Sequence, residues 1–516
     1  MKNTRVRILR ETLAWIKDLE AKQICWIDGM AGSGKTSIAK TVCESAKEDD
    51  GITFGGSFFC SRSTGLAAQR DIRCVVPTLA QLLALESAEF CQALAENIHV
   101  GIQDKEVKAQ VEQLLLKPLL AMKGSRKPIL FVIDALDECG GDTEDGSLDD
   151  ANCRTVVSSM LEALVSLTES DPKLPIKVLV TSRPEAQIRD TPISDEDLSR
   201  ILRLHTVDAK EINADIRQYI TETLNTKLSA KPKLRASITE TDVETLVQLC
   251  DGLFIVAATA IAHTFGAGAS AAVAQFKKLL NSSQDGLNHR ATAPLDRMYE
   301  IILTEAAREG VPGAVELLTL HRLLASLLSA RMALSVTALA DLLDMESYEV
   351  SASLSRLHAV VYVPEDEDMP GLRTVHASFG DYLYSRAPNH IPIPGSLGHE
   401  VLAHGCLDVM AKQLHFNISA SRSSYEPNPP NRPDSITLAL EYACLHWSHH
   451  IAAIKLSNNF ASNILALDAD IGRIFRAKLL FWLEVLSVLS KVSLASGLLL
   501  IASSAVSLLP LPLCHD

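Results

Sequence analysis

The stretch Gly29-Met30-Ala31-Gly32-Ser33-Gly34-Lys35-Thr36 satisfies the pattern G-x-x-x-x-G-K-[ST] at every fixed position. A strand-like run, Ile24-Cys25-Trp26-Ile27-Asp28, leads into it, and a helix-like run, Ser37-Ile38-Ala39-Lys40-Thr41-Val42, leaves it. That flanking context is what the pattern needs in order to work as a phosphate-binding loop. Gly29, Gly32 and Gly34 let the backbone curl closely around an anion. The exposed N–H groups, Ser33 and Ser37 among the contacts, act together with the positive end of the following helix. Lys35 reaches the outer phosphates. The Thr36 hydroxyl is a magnesium ligand, because a hard cation prefers oxygen donors and is shared with the phosphates. The stretch predicts a bound nucleoside triphosphate with Mg2+.

Downstream, Ile129-Leu130-Phe131-Val132-Ile133 runs straight into Asp134, and Asp137 and Glu138 follow. A continuous apolar run suits a strand buried on both faces, and an acid just past its end falls beside the phosphates if the sheet is parallel. Asp134 is therefore read as the second magnesium residue. Glu138 is favoured as the group that orients or deprotonates the attacking water, with Asp137 as the alternative. Ile176 to Ser182 forms another short strand, after which Arg183 is placed to touch the terminal phosphate and stabilise developing charge. Thr53 to Phe59 and Ile201 to His205 complete five strands, and helical stretches fall between them. Alternating strands and helices argue for a parallel, doubly wound sheet, hence an α/β P-loop NTPase domain.

The pattern then changes to helix. The expected organisation is an N-terminal helix over 1–23, a nucleotide-binding domain over 24–207, a helical domain over 208–300 and a winged-helix domain over 301–390. A C-terminal helical region over 391–491 and an apolar tail over 492–516 follow. The winged helix is read from three helices (317–329, 336–343, 347–357) and a small hairpin (359–363 with 372–375). Its third helix has few basic residues, so DNA reading is not expected. The acidic loop 139–151 lacks the alternating ligands of a calcium loop and reads as solvated. Tyr425 to Arg432, with three prolines, marks a linker. His446, His449 and His450 share one helix at a spacing that can gather a metal. No glutamate sits between them in the H-E-x-x-H manner, and surface histidines beside Trp447 explain the cluster equally well. From Val492 to Cys514 no residue is charged, a length that spans a bilayer, although a docked terminal helix reads alike.

Composition sets outer bounds. The 516 residues suffice for several domains. Lys plus Arg number 49 against 63 Asp plus Glu, a net charge of −14, so no general attraction to nucleic acid or anionic membrane is implied. Eleven cysteines without a C-x-x-C pair point to reduced thiols in a cytoplasmic protein. The N-terminus lacks the apolar core of a secretory signal.

Taken together, these motifs resemble those of the NACHT-type STAND nucleotide switches of fungi, described by a nephrocystin-3-like N-terminal domain. The resemblance rests on Ile24-Cys25-Trp26 leading into the loop, Ser57 to Arg62, Phe131 to Glu138, Thr181 to Pro184, Gly252-Leu253-Phe254 and Val375 to Leu383. It implies a nucleotide-binding domain, a helical domain and a winged helix that clamp ADP when inactive and open on exchange for ATP, with GTP an alternative. It also implies self-association on activation. His376 matches the position of a winged-helix histidine that contacts the phosphates. Phe254 stands where many relatives have a proline against the base. Relatives usually carry an effector domain before the loop and a repeat array after the helical region. No fixed internal period is found here, so the chain is expected to lack those parts. A slow nucleotide switch is the leading expectation. The alternatives are a P-loop kinase, a faster ATPase and a scaffold that binds nucleotide without hydrolysis.

Overall fold

The computed structural model describes residues 4–506 apart from 63–66, 98–105, 123–126, 140–149, 171–173, 267, 269, 285–293, 309–313, 386, 388–392, 394, 423–427, 429–431 and 455–459. The acidic loop, most of the 425–432 linker and the last ten residues of the tail lie outside the described residues. The chain divides into two compact units, one running to Ile301 and the other from Ile302.

The first unit is built on a five-stranded sheet in the order β2-β3-β4-β1-β5, where β1 is Ile24–Asp28, β2 Thr53–Phe59, β3 Ile129–Asp134, β4 Ile176–Ser182 and β5 Ser199–Arg203. Every pairing is parallel. β1, β3 and β4 are buried along their whole length, as continuous apolar runs require in a sheet covered on both faces. Alternation along each strand sorts the side chains into two cores. Ile24, Trp26, Phe131, Ile133, Val178 and Val180 face one layer, which includes helices Val75–Glu86 and Asp150–Glu169. Cys25, Ile27, Leu130, Val132 and Leu179 face the other, formed by α1 (Val6–Lys17) and α2 (Lys35–Lys47). β5 begins two residues earlier than the sequence suggests, because Ser199↔Ile24 opens its pairing with β1. Leu204 and His205 instead turn into a short 3-10 segment.

Within 208–300, expected to be helical, the chain forms separate helices Glu240–Cys250, Phe254–Phe265 and Ala272–Gln284. Asp251 and Gly252 take positive φ of 45° and 78° and end the first piece. α3 (Ala209–Lys227) and α4 (Phe254–Phe265) both belong to the first unit. The start of α4 lies on the phosphate loop: the Ile255 N–H donates to the Gly32 carbonyl at 3.2 Å, and a Cβ at Gly32 would collide with the Ile255 side chain.

The second unit is largely helical. Helices α5 (Ala314–Ser329) and α6 (Val336–Leu343) precede a helix Ser347–Ser355 and an antiparallel pair, β6 (Val361–Tyr362) with β7 (Arg373–Thr374). α7 (Gly395–Gln413), α8 (Leu438–Ala453), α9 (Phe460–Val488) and α10 (Ala495–Val506) follow. Gly398 and Gly405 let α7 lie directly on backbone, since a Cβ would strike the Ala325 carbonyl of α5 or the Leu342 carbonyl of α6. Phe475 lies between Trp447 and Trp482, at 5.0 and 5.2 Å between ring centroids. The apolar tail forms α10, a helix of 12 residues that buries Leu498, Ala502 and Ala505. Leu499 and Leu500 on the same helix are exposed, and among the described residues no helix is long and apolar enough to cross a membrane.

Candidate functional site

The parallel sheet brings the carboxyl ends of β1, β3 and β4 to one edge, and Lys35, Asp134, Asp137, Glu138 and Arg183 collect there. After Asp28 the chain turns through Gly32 and Gly34, at φ 77° and 96°, and Lys35 opens α2. Only glycine adopts these values without strain. Lys35 is buried, and its Nζ donates to the carbonyls of Gly29 at 2.6 Å and Met30 at 3.0 Å. Burial pushes its pKa down, against the opposing field of Asp137, Asp134 and Glu138.

Asp134 is buried at the end of β3. The Thr181 hydroxyl on β4 donates to it at 2.6 Å and accepts the Ala135 N–H at 3.0 Å. Desolvation raises the Asp134 pKa, partly offset by hydrogen bonds from Thr181 and Thr36. A carboxylate and a hydroxyl are thus held together across the sheet from the loop. Both are hard oxygen donors, so Thr36 and Asp134 fit Mg2+.

Asp137 and Glu138 are distinguished by their partners. Asp137 is buried and doubly engaged, accepting the Arg183 backbone N–H at 3.0 Å and pairing with Arg183 Nε at 3.2 Å. Glu138 meets Arg183 only at 3.9 Å and accepts the Arg62 N–H at 3.2 Å. Burial, reinforced by Asp137, lifts the Glu138 carboxyl to about 7, while Arg62 and Arg183 act against the shift. A carboxyl poised near neutrality can take a proton from water, which a carboxylate locked in an ion pair does poorly. Arg183 lies at this edge but is held by Asp137.

Three contributors are absent from the sequence reading. Thr181 orients Asp134. Arg62 supports both acids, its Nη2 donating to the Asp137 carbonyl at 2.7 Å. Arg5 lies against the loop, its Nη2 donating to the Ser33 carbonyl at 3.1 Å and its guanidinium over the Phe254 ring at 5.1 Å. The fragments Thr181-Ser182-Arg183-Pro184 and Ser57 to Arg62 already carried the resemblance, so the first two were within reach of the sequence. Arg5 precedes the first helix and gave no signal.

His376 belongs to the second unit, just before helix Ala377–Ser385, where its Nδ1 meets the Ser378 hydroxyl at 2.6 Å. Of the three histidines of α8, His446 and His449 are half-buried and His450 is fully buried. His450 is buried, contacting His399 Nδ1 at 2.9 Å and the Tyr442 hydroxyl at 2.7 Å. Among the described residues no group of His, Cys, Asp and Glu side chains is arranged to hold a metal through three or more of them.

Residues 4–183 match the family described as nephrocystin 3, N-terminal. No curated protein matches the chain. Among solved structures the chain is similar to a signal transduction ATPase with numerous domains (STAND) carrying a tetratricopeptide repeat sensor, from Pyrococcus horikoshii. The identity is 12% and the TM-score 0.41, covering 96% of this chain and 57% of that one. Cdc6p from Pyrobaculum aerophilum matches at 10% identity and TM-score 0.33, over 73% of this chain and 91% of that one. A chain of the Drosophila ORC bound to DNA matches at 13% identity and TM-score 0.33, over 74% and 95%. The sheet order, the loop and the acids at the strand ends make the first unit a P-loop nucleotide-binding fold.

Proposed function

We propose that the protein is a nucleotide-dependent signalling switch of the NACHT and STAND kind, which binds ATP or ADP, or the guanine equivalents, with Mg2+ and hydrolyses the triphosphate slowly. The observation that carries this reading is the convergence of Lys35, Asp134 and Glu138 at one edge of the parallel sheet, beside the glycine loop. Gly29, Gly32, Ser33, Gly34, Thr36 and Ser37 cradle the phosphates, and Thr36 with Asp134 holds the magnesium, which supplies charge neutralisation on the phosphates. Glu138 orients and deprotonates the attacking water. Asp137 acts through Arg183, holding its guanidinium at the edge.

The helices over 208–300 form the helical domain on this reading, and α4 seated on the loop supports it. The three helices and the β6–β7 pair form a winged helix over 301–390, with His376 as the residue that senses the nucleotide. Differential affinity of di- and triphosphate for closed and open forms sets the population, and activation proceeds by self-association in the cytoplasm.

Steady-state phosphate release tests the reading. Firm binding with turnover below about one per second, lost in Glu138→Gln, is the expected result, and sustained turnover far above that, in the range ordinary for metabolic enzymes, sinks the switch.

A further inference from the structure

Two thiols meet beside the candidate site. Cys139 Sγ lies 2.8 Å from Cys60 Sγ, and it also faces the Gln69 carbonyl at 3.7 Å. Both side chains are buried. A disulfide bond is about 2.05 Å long, so closing one here brings the sulfurs together by less than about 1 Å. The segments that carry them are already joined by hydrogen bonds. Just past β2, the Cys60 N–H donates to the Asp134 carbonyl at 2.9 Å and the Ser61 N–H to the Gln69 carbonyl at 3.1 Å. Arg62 follows, donating its N–H to Glu138 Oε2 and its Nη2 to the Asp137 carbonyl. Cys139 directly follows Glu138, and its N–H closes the same short turn on the Leu136 carbonyl at 3.1 Å. A bond between the two sulfurs therefore pins the turn that carries Asp137 and Glu138 to the segment that carries Arg62.

We propose that Cys60 and Cys139 form a redox modification site, closed to a disulfide by hydrogen peroxide and reopened by a dithiol, and that closure slows hydrolysis at Glu138. The effect on hydrolysis rests on the nucleotide reading above and adds regulation to it, whereas the thiol chemistry does not depend on that reading. One sulfur, as thiolate, attacks an oxygen of the peroxide and displaces hydroxide, which takes up the thiol's proton and leaves as water. The product is a sulfenic acid. The other sulfur then attacks the sulfenic sulfur, and the hydroxyl departs with the second thiol's proton as a second water. The two thiols have lost two electrons, and the O–O bond of the peroxide has taken them. Burial, with Cys139 adding to it, pushes the Cys60 pKa well up, so the first step is slow and the pair answers sustained oxidation rather than a brief pulse. Glu138 has to adjust toward a water at the terminal phosphate, because catalytic hydrogen bonds tighten only when the substrate is bound. The disulfide holds its turn where it is, against Arg62.

The test exposes the full chain to hydrogen peroxide, blocks the remaining thiols with N-ethylmaleimide in denaturant and maps the peptides by mass spectrometry. A linked Cys60–Cys139 pair that dithiothreitol reopens is the expected result. With the link in place, phosphate release falls about 10-fold or more while nucleotide binding is unchanged, and dithiothreitol restores the rate. Cys60→Ala keeps the basal rate and loses the response to peroxide. Should that variant fail to fold, the peptide map and the dithiothreitol reversal of the wild type still decide. Oxidation of the exposed Cys91 with Cys60 and Cys139 left unlinked overturns the site, as does a link from either to Cys74, which packs against the same core. A link that forms and leaves phosphate release unchanged overturns the regulation. If the link forms but the reduced chain neither binds nucleotide nor releases phosphate, the nucleotide reading fails and the regulation with it, while the modification site stands.

Discussion

The two units bury polar groups in opposite ways. The first buries charge: Lys35, Asp134 and Asp137 lie at the ends of β1 and β3, each facing an opposite charge or a hydroxyl. The second buries neutral rings: His450 and Tyr442 hydrogen-bond to one another, the half-buried His399 extends the series, and the Arg331 N–H donates to the Tyr442 hydroxyl at 3.2 Å. Burial holds His399 down at about 4 and His446 at about 3, with Arg331 adding to both shifts and His449 to the latter. Buried charge is expensive and accumulates where chemistry needs it. A chain of neutral hydrogen bonds instead fixes how helices pack.

The largest effect that distinguishes the units is Lys35→Ala. It removes the one ammonium inside the loop, and nucleotide affinity measured by calorimetry should fall about 100-fold or more, as expected for losing a charge-assisted phosphate contact in a buried site. The melting transition of the first unit should move little, because burial already disfavours the lysine's charge and so offsets the lost attraction to Asp137, Asp134 and Glu138. Unchanged affinity would remove the loop from the site. Glu138→Gln comes next, lowering phosphate release about 100-fold or more while leaving binding intact. In the wild type the rate should rise with pH through about 7, as Glu138 loses its proton. A flat profile would assign the base to another group. In the second unit the strongest single change is Gly405→Ala, which drives a methyl into the Leu342 carbonyl and should cost about 1–3 kcal/mol in denaturant titrations.

The same contrast explains what the sequence disclosed. β1, β3 and β4 were legible because each is an apolar run that ends in a polar cluster, and buried parallel strands require that pattern. The β5 boundary was missed because Ile201 to Leu204 continues the pattern beyond the last residue that pairs with β1. The convergence of Lys35, Asp134 and Glu138 at one edge was legible because the loop and the strand end fix where each falls in a parallel sheet. Arg5 was not, since its partners Ser33, Asp215 and Phe254 are brought to it only by the fold. The burial of His450 was not legible because its partner His399 lies on α7, which the linker separates from α8 in sequence. The tail admitted two readings, membrane segment or docked helix, because composition alone cannot separate them; residues 495–506 form a helix that buries Leu498, Ala502 and Ala505 and exposes Leu499 and Leu500.

The smallest effect is also the one that sets the units against each other: their stabilities should respond to pH with opposite sign. Glu138 is raised to about 7 in the folded chain, above the ordinary glutamate value, so it favours folding below that ordinary value. Its contribution is lost as pH rises through about 7. His399 and His446 are depressed in the folded chain, so their contribution is full above the ordinary histidine value near 6.5 and is lost as pH falls toward about 4 and about 3. The tryptophans divide between the units, Trp15 and Trp26 in the first, Trp447 and Trp482 in the second, so Trp→Phe variants let fluorescence follow one unit at a time. Unfolding of the second unit at pH 5 should come at lower denaturant than at pH 7.5, and His446→Leu should flatten that limb. Glu138→Gln should make the first unit more resistant at pH 8 and leave it unchanged near pH 4. If both units weaken on the acid side alone, Glu138 does not carry the raised value, and the case for it as the proton acceptor at neutral pH is withdrawn.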